Sequence, residues 1–240
     1  MAKGKKVILF IVEGISDKVS LESIFEQYFE DYKTKIAVMH GDITSQSSSS
    51  DIKANLSDKI DYFCQIEGIQ FKYDIIRIVH LVDTDGAFVP PSCVVSGEKD
   101  IEYTLTQIIT NNVEGIKYRN ASKATVLKVL SKMRKLNNIP YSIYYFSRNL
   151  EHVLHNESGD LTDEQKKNLS ESFDLKYEDK LDEFLGFITD SNFAVPGDYK
   201  QTWDFIMQGT NSLNRFSNVP LLFPRNTRSA RSDLIEDKAD

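Results

Sequence analysis

Tyr73-Asp74-Ile75-Ile76-Arg77-Ile78-Val79-His80-Leu81-Val82-Asp83-Thr84-Asp85-Gly86 decides the fold. Tyr73 to Val82 is the strongest strand signal in the chain, dense in β-branched residues and stopped abruptly by Asp83. Gly86 allows a sharp turn after the two acids, and Pro90-Pro91 enforces a loop. A run apolar on both faces is the mark of a buried parallel strand. Working toward the N-terminus, Val7 to Val12 is a second such run, ended by Glu13. Gly14 and Ser16 follow. Val19, Leu21, Ile24, Phe25, Tyr28 and Phe29 then mark one broad helical face. Lys35 to His40 reads as a short strand closed by Gly41-Asp42, Thr44 to Ser50 as a serine-rich loop, and Asp51 to Gln65 as a helix.

Working toward the C-terminus, Ser122 is placed to cap a helix reaching about Leu136. Its inward face would carry Val126, Leu127, Leu130 and Met133. Tyr141 to Phe146 is a further apolar strand, with a helix expected from Asn149. This alternation predicts an α/β chain whose central, mostly parallel sheet is covered on both sides. Beyond residue 157 no strand is expected. Leu161 to Phe173, Tyr177 to Ile188 and Tyr199 to Leu213 read as helices. The expected division is 1–157 as the main domain, 158–219 as a helical extension packed on it, and 220–240 as an extended tail.

The composition excludes several classes. The 240 residues are 40% hydrophobic and include 14 Phe and 11 Tyr, which argues against disorder. Cys64 and Cys93 are the only cysteines; they suit neither a disulfide scaffold nor a zinc module, and point to a reducing, cytoplasmic compartment. The apolar run after the basic start ends within six residues at Glu13, too short for a signal or membrane segment. The net charge of −7 disfavours nucleic acid as a partner until its distribution is examined. Gly115 to Leu150 contains no acid but holds Lys117, Arg119, Lys123, Lys128, Lys132, Arg134, Lys135 and Arg148. Glu151 to Asp190 reverses the balance, with 12 acids against 4 lysines, and Arg225, Arg228 and Arg231 turn the end basic again. Such asymmetry leaves a face suited to polyanions, or a solvated helix surface.

Two strong strands thus end in acids. Ligands of open α/β sheets bind beyond the carboxyl ends of the strands. Asp17 falls one helical turn after Glu13, and Asp83 and Asp85 point the same way from an extended backbone. Four converging carboxylates repel one another, and a hard divalent cation, Mg2+ or Mn2+, one ion or two, relieves the repulsion. Taken singly, Glu13 or Asp17 is as well explained by a helix macrodipole. His40, His80, His152 and His155 form no zinc ligand set.

The strand-Glu13-Gly14-x-x-Asp17 motif, followed by a strand and Asp83-Thr84-Asp85-Gly86, resembles the TOPRIM family. The V-E-G-x-x-D form is most similar to its OLD-like, phage-defence branch. The resemblance implies a Rossmann-like TOPRIM fold over about residues 5–157 and a metal-dependent nuclease. It also implies an effector role in an anti-phage or abortive-infection system. Asp83 and Asp85 become metal ligands, Glu13 a ligand or general acid/base, and Asp17 a further ligand. Glu151, after Ser147-Arg148-Asn149-Leu150, matches the place of another acid of that branch. No G-x-x-x-x-G-K-[ST] motif occurs, so any ATPase would be a separate subunit. The expected partners are a DNA or RNA substrate, held by Lys117, Arg119, Lys123, Lys128, Lys132 and Arg148; a homodimer is left open. Two rivals stand beside this reading. A HAD-like phosphatase would use Asp83 as nucleophile, Asp85 as acid/base and Ser147 as its second motif, leaving Glu13 and Asp17 idle. A TOPRIM-shaped sensor would bind a partner without catalysis.

Overall fold

A computed structural model describes residues 6–30, 34–44, 50–190 and 192–224. The basic tail residues Arg225, Arg228 and Arg231 and most of the serine-rich loop lie outside these residues. The first strand, β1 (Val7–Val12), leads into α1 (Ile15–Phe29) and β2 (Lys35–His40). Next come α2 (Ile52–Glu67), a single turn α3 (Phe71–Asp74) and β3 (Ile75–Asp83). The strands β4 (Val94–Ser96), β5 (Glu102–Tyr103) and β6 (Ile108–Thr110) precede α4 (Val113–Lys132). The chain continues through β7 (Lys135–Leu136), β8 (Ile139–Phe146), α5 (Leu150–His155), α6 (Asp163–Tyr177), α7 (Leu181–Ile188) and α8 (Tyr199–Ile206).

The main sheet has the order β2-β1-β3-β8-β7. Its first four strands are parallel, and β7 is antiparallel to β8. The protein is therefore α/β with a mixed, mostly parallel sheet. Successive β1 residues alternate between two cores, as the twofold period of a strand demands. Val7, Leu9 and Ile11 face a core with Ile52, Leu56 and Ile60 of α2, Val126, Leu127 and Leu130 of α4, and Trp203 of α8. Ile8, Phe10 and Val12 face the other, with Leu21 and Phe25 of α1, Phe173 and Tyr177 of α6, and Phe184 and Ile188 of α7. Phe10 stacks on Phe25 with ring centroids 3.7 Å apart. The 158–219 region thus supplies part of both cores.

Three expectations are corrected. The helix expected from Ser122 starts at Val113, because Asn112 is the cap: its Oδ1 accepts the Gly115 N–H at 3.0 Å. A three-stranded sheet, β4-β6-β5, occupies the stretch after Pro90-Pro91; strands of two or three residues leave little periodic trace. Residues 220–224 are not an extended tail. Val219–Leu222 forms a 3-10 turn, and Leu222 and Phe223 are buried in the α1 core. Residues 214–218 lie along the end of β8, where Ser147 N–H donates to Phe216 O at 2.9 Å and Ser217 Oγ donates to Tyr145 O at 2.7 Å. Among the described residues no helix is long and apolar enough to cross a membrane.

Candidate acidic site

The carboxyl ends of β1, β2, β3 and β8 lie on one edge of the sheet, and each carries an acid at its end or within a few residues beyond it. Glu13 follows β1, Asp42 lies two residues beyond β2, Asp83 is the last residue of β3, and Glu151 sits in the first turn of α5. The loop that carries Asp85 is tightly determined. Asp85 and Gly86 both have left-handed φ, 48° and 68°. Aspartate tolerates that region, whereas a Cβ at Gly86 would also stand 2.7 Å from a Leu213 methyl. Arg148, at φ 55°, holds this loop from β8. Its carbonyl accepts the Asp85 N–H at 3.0 Å, and its own N–H donates to Thr84 Oγ1 at 3.0 Å.

The acids fall into two groups that meet at Asp83. The first is built around Lys123, which is 1% exposed. Its ammonium lies 3.5 Å from Glu13 Oε2 and makes a short ion pair with Asp85 Oδ2. Thr44 Oγ1 donates to Glu13 Oε1 at 2.9 Å and approaches Asp42 at 3.4 Å. The second group holds Asp17, Ser16 and Glu151. Asp17 Oδ2 accepts the Gly14 N–H at 2.9 Å, so one carboxylate oxygen closes the start of α1. Ser16 Oγ lies 3.4 Å from Glu151 Oε1, and Lys166 reaches the same oxygen at 3.9 Å.

Burial and like charge act together here. Burial pushes Glu13 up to about 7, opposed by Lys123 and aided by Asp85 and Asp42. Burial likewise raises Asp17 to about 6, against the Gly14 hydrogen bond. Asp83 is held well above the usual carboxylate range, by burial first and then by Glu13, Asp17 and Asp85. Lys123 opposes this rise. For Lys123, burial favours the neutral amine, but Glu13, Asp85 and Asp83 outweigh it and keep the ammonium protonated.

The donor chemistry, carboxylates alone, fits a hard divalent cation. The arrangement is less converged than the spacing predicts. Among the described residues, no three of His, Cys, Asp and Glu stand together as a ligand set. The positive charge within the acids is instead a lysine of the protein.

The basic residues expected on a nucleic-acid face separate. Lys123 is a correction: it is buried in the acidic site and offers no surface charge. Its signal was available, since Ile116, Asn120, Lys123, Leu127 and Leu130 recur at the spacing of an inward helix face. Arg119 is spent on the Asp85 loop, donating to Asp85 O at 2.9 Å and to Tyr103 OH at 3.3 Å. Arg148 is buried, stacks over Tyr103 at 4.5 Å and donates to Ser158 O at 2.6 Å, while its Nε has no partner. Lys117, Lys128 and Lys132 lie along the outer part of α4. Lys166, Asp42 and Thr44 are site residues that the motif reading passes over; Asp42 follows a strand end just as Glu13 does. Ser147 is committed to backbone, since its Oγ accepts the Phe216 N–H at 2.7 Å and donates to Asn214 O. His80 is buried against Tyr141 OH at 2.8 Å, and burial lowers it to about 3, so it stays neutral in the core.

Comparison with known proteins returns no family model, no curated protein and no solved structure that matches this chain.

Proposed function

We propose that the chain is a divalent-metal-dependent phosphoryl-transfer enzyme of TOPRIM type that hydrolyses phosphodiester bonds in DNA or RNA. One observation carries the proposal. Asp83 is a buried carboxylate placed among Glu13, Asp17 and Asp85 at the carboxyl edge of a parallel sheet, and the lysine beside them matches only part of their charge. Without a cation, burial and mutual repulsion make these carboxyls keep protons; a hard divalent cation would take the place of those protons. In the proposal Glu13, Asp83 and Asp85 hold Mg2+ or Mn2+, with Asp17 and Glu151 positioned for a second ion. Such an ion activates water and stabilises the leaving oxygen.

The protein's own side chains then have separable tasks. Thr44 fixes Glu13 by donating to one of its oxygens, leaving the other toward Lys123. Arg119 and Arg148 fix the loop that presents Asp85. Lys117, Lys128 and Lys132 supply charge for flanking phosphates. The OLD-like resemblance extends the proposal to an effector of anti-phage or abortive-infection defence, working with a separate ATPase subunit. The phosphatase reading is disfavoured because Ser147, its required hydroxyl, is already held by backbone on both sides.

The test uses supercoiled plasmid, single-stranded DNA and tRNA, with Mg2+, Mn2+ or EDTA, for the natural chain, Glu13→Ala and Asp83→Asn. Cleavage that requires metal and falls by about 100-fold or more in both variants is expected. Equal behaviour of all three proteins, with a candidate ATPase subunit present as well as absent, removes the nuclease reading.

A further inference from the structure

A groove of about 220 Å3 runs between α4 and the loop that follows Asp85-Gly86. Its walls are Phe88, Val89 and Pro91 on one side and Ala121 and Ala124 on the other, with Lys117 and Lys128 along its length. No acid lines it. That sets it apart from the hollow between α1 and α6, where Asp163 and Glu171 accompany Lys166 and Lys167. It also differs from the apolar hollow beside β2, which has Asp58 next to Lys59.

The polar group that lines this groove is Asn120, 4% exposed. Its Oδ1 accepts two hydrogen bonds from Arg119, from Nε at 3.1 Å and from Nη2 at 2.8 Å. A guanidinium can only donate, so the amide orientation is fixed by chemistry. The Nδ2 is thereby left as a buried donor with no partner. An unsatisfied buried donor is costly, and a ligand acceptor would relieve it. The lining asks for a ligand with a flat apolar face, an acceptor on its edge and negative charge on either side. An unpaired base within a strand has all three, whereas a duplex conceals the faces and the pairing edges of its bases.

We infer that this groove is a subsite for one unpaired base of a nucleic-acid strand, with Asn120 Nδ2 donating to the base and Lys117 and Lys128 holding the neighbouring phosphates. The inference rests on the proposed nuclease reading and specifies its substrate as single-stranded at this position. It also joins recognition to the acids: the Arg119 guanidinium that fixes Asn120 also donates to Asp85 O at 2.9 Å.

The test is fluorescence anisotropy in EDTA, where no metal-dependent cleavage intervenes. The probes are a labelled oligothymidylate and a duplex of the same length, each titrated over a range of salt. The single strand binds about tenfold or more tighter than the duplex. Asn120→Ala weakens single-strand binding by about tenfold without changing the salt slope, as expected for a base contact. Ala121→Trp, which fills the groove from an exposed position, gives the same loss with Asn120 intact, so a folding defect at Asn120 does not decide the matter. Lys117→Ala with Lys128→Ala lowers the magnitude of the log–log salt slope by about 1.4, two phosphates' worth for a single strand. Duplex binding as tight as single-strand binding, or unchanged affinity in both Asn120→Ala and Ala121→Trp, overturns the inference. Cleavage is measured separately. Base-dependent binding without cleavage would remove the nuclease reading alone, and cleavage without base-dependent binding would remove the subsite alone.

Discussion

Two lysines that meet the acids, Lys123 and Lys166, differ in almost every physical respect. Lys123 is 1% exposed, projects from the inward face of a 20-residue helix, and pairs with carboxylates from two strand ends. Lys166 has a side chain 39% exposed, comes from the helical region after residue 157, and reaches Glu151 at 3.9 Å. The first is a permanent internal counter-charge. The second trades its carboxylate for water at little cost. The acidic site therefore has a fixed counter-charge at Glu13, Asp83 and Asp85, and an exchangeable one at Glu151.

The sharpest way to break this comparison is to remove Lys123. Deleting one partner of a buried ion pair costs about 3–5 kcal/mol. Lys123→Met should therefore lower Tm in EDTA by roughly 10 °C. Adding Asp85→Asn should recover part of that loss. A Tm within 2 °C of the natural chain (roughly 1 kcal/mol at this size) would show that Lys123 is not a required counter-charge.

A smaller effect tests the shared charge through pH. Glu13, Asp17 and Asp83 hold protons more tightly folded than unfolded, so their contribution to stability is greatest at low pH. It is lost as pH rises through about 6 for Asp17 and about 7 for Glu13. Lys123 stays protonated across this range and adds no slope. From pH 5 to pH 8 in EDTA, Tm should fall by roughly 5 °C on account of these groups. Glu13→Gln should flatten the fall and raise Tm at pH 8, and a divalent cation should oppose it. A flat profile for the natural chain would contradict the burial of these acids.

At the small end stands Lys166→Ala, which should change stability by less than about 1 kcal/mol, because its partner pair is solvent-accessible on one side. A loss comparable to that of Lys123→Met would make the two counter-charges alike. Smallest in stability is Lys128→Ala with Lys132→Ala, expected to leave Tm unchanged while reducing the salt dependence of nucleic-acid binding; an unchanged slope removes this patch from the interface.

The same contrast separates what was legible in the sequence from what was not. Glu13, Asp83 and their strands are local signals: an apolar run, then an acid, at an edge whose role is general. Val7–Val12 and Lys35–His40 match their expected bounds, and Tyr141–Phe146 begins only two residues late. The role of Lys123 is not local. Its charge suggests a surface, its position on α4 implies an interior, and only the distance to Glu13 and Asp85 decides. The β4-β6-β5 sheet escaped because its strands are too short for a period. The helix start at Val113 was displaced by a plausible capping residue, Ser122, which is exposed within the helix. The convergence of Glu13, Asp17, Asp83 and Asp85 expected from spacing is looser in the fold, because Asp17 gives one oxygen to the α1 cap.

The strand end that carries Ser147 and Arg148 is completed by residues far along the chain. Tyr145 N–H donates to Asn218 Oδ1, Ser147 N–H to Phe216 O, and Leu213 packs beside Gly86. During synthesis these residues leave the ribosome last among those that shape the acid loops. A nascent chain ending anywhere before about residue 218 would carry the acids without the strap that seats their loops. Limited proteolysis within residues 208–218 would therefore unseat the acid loops without touching a single carboxylate.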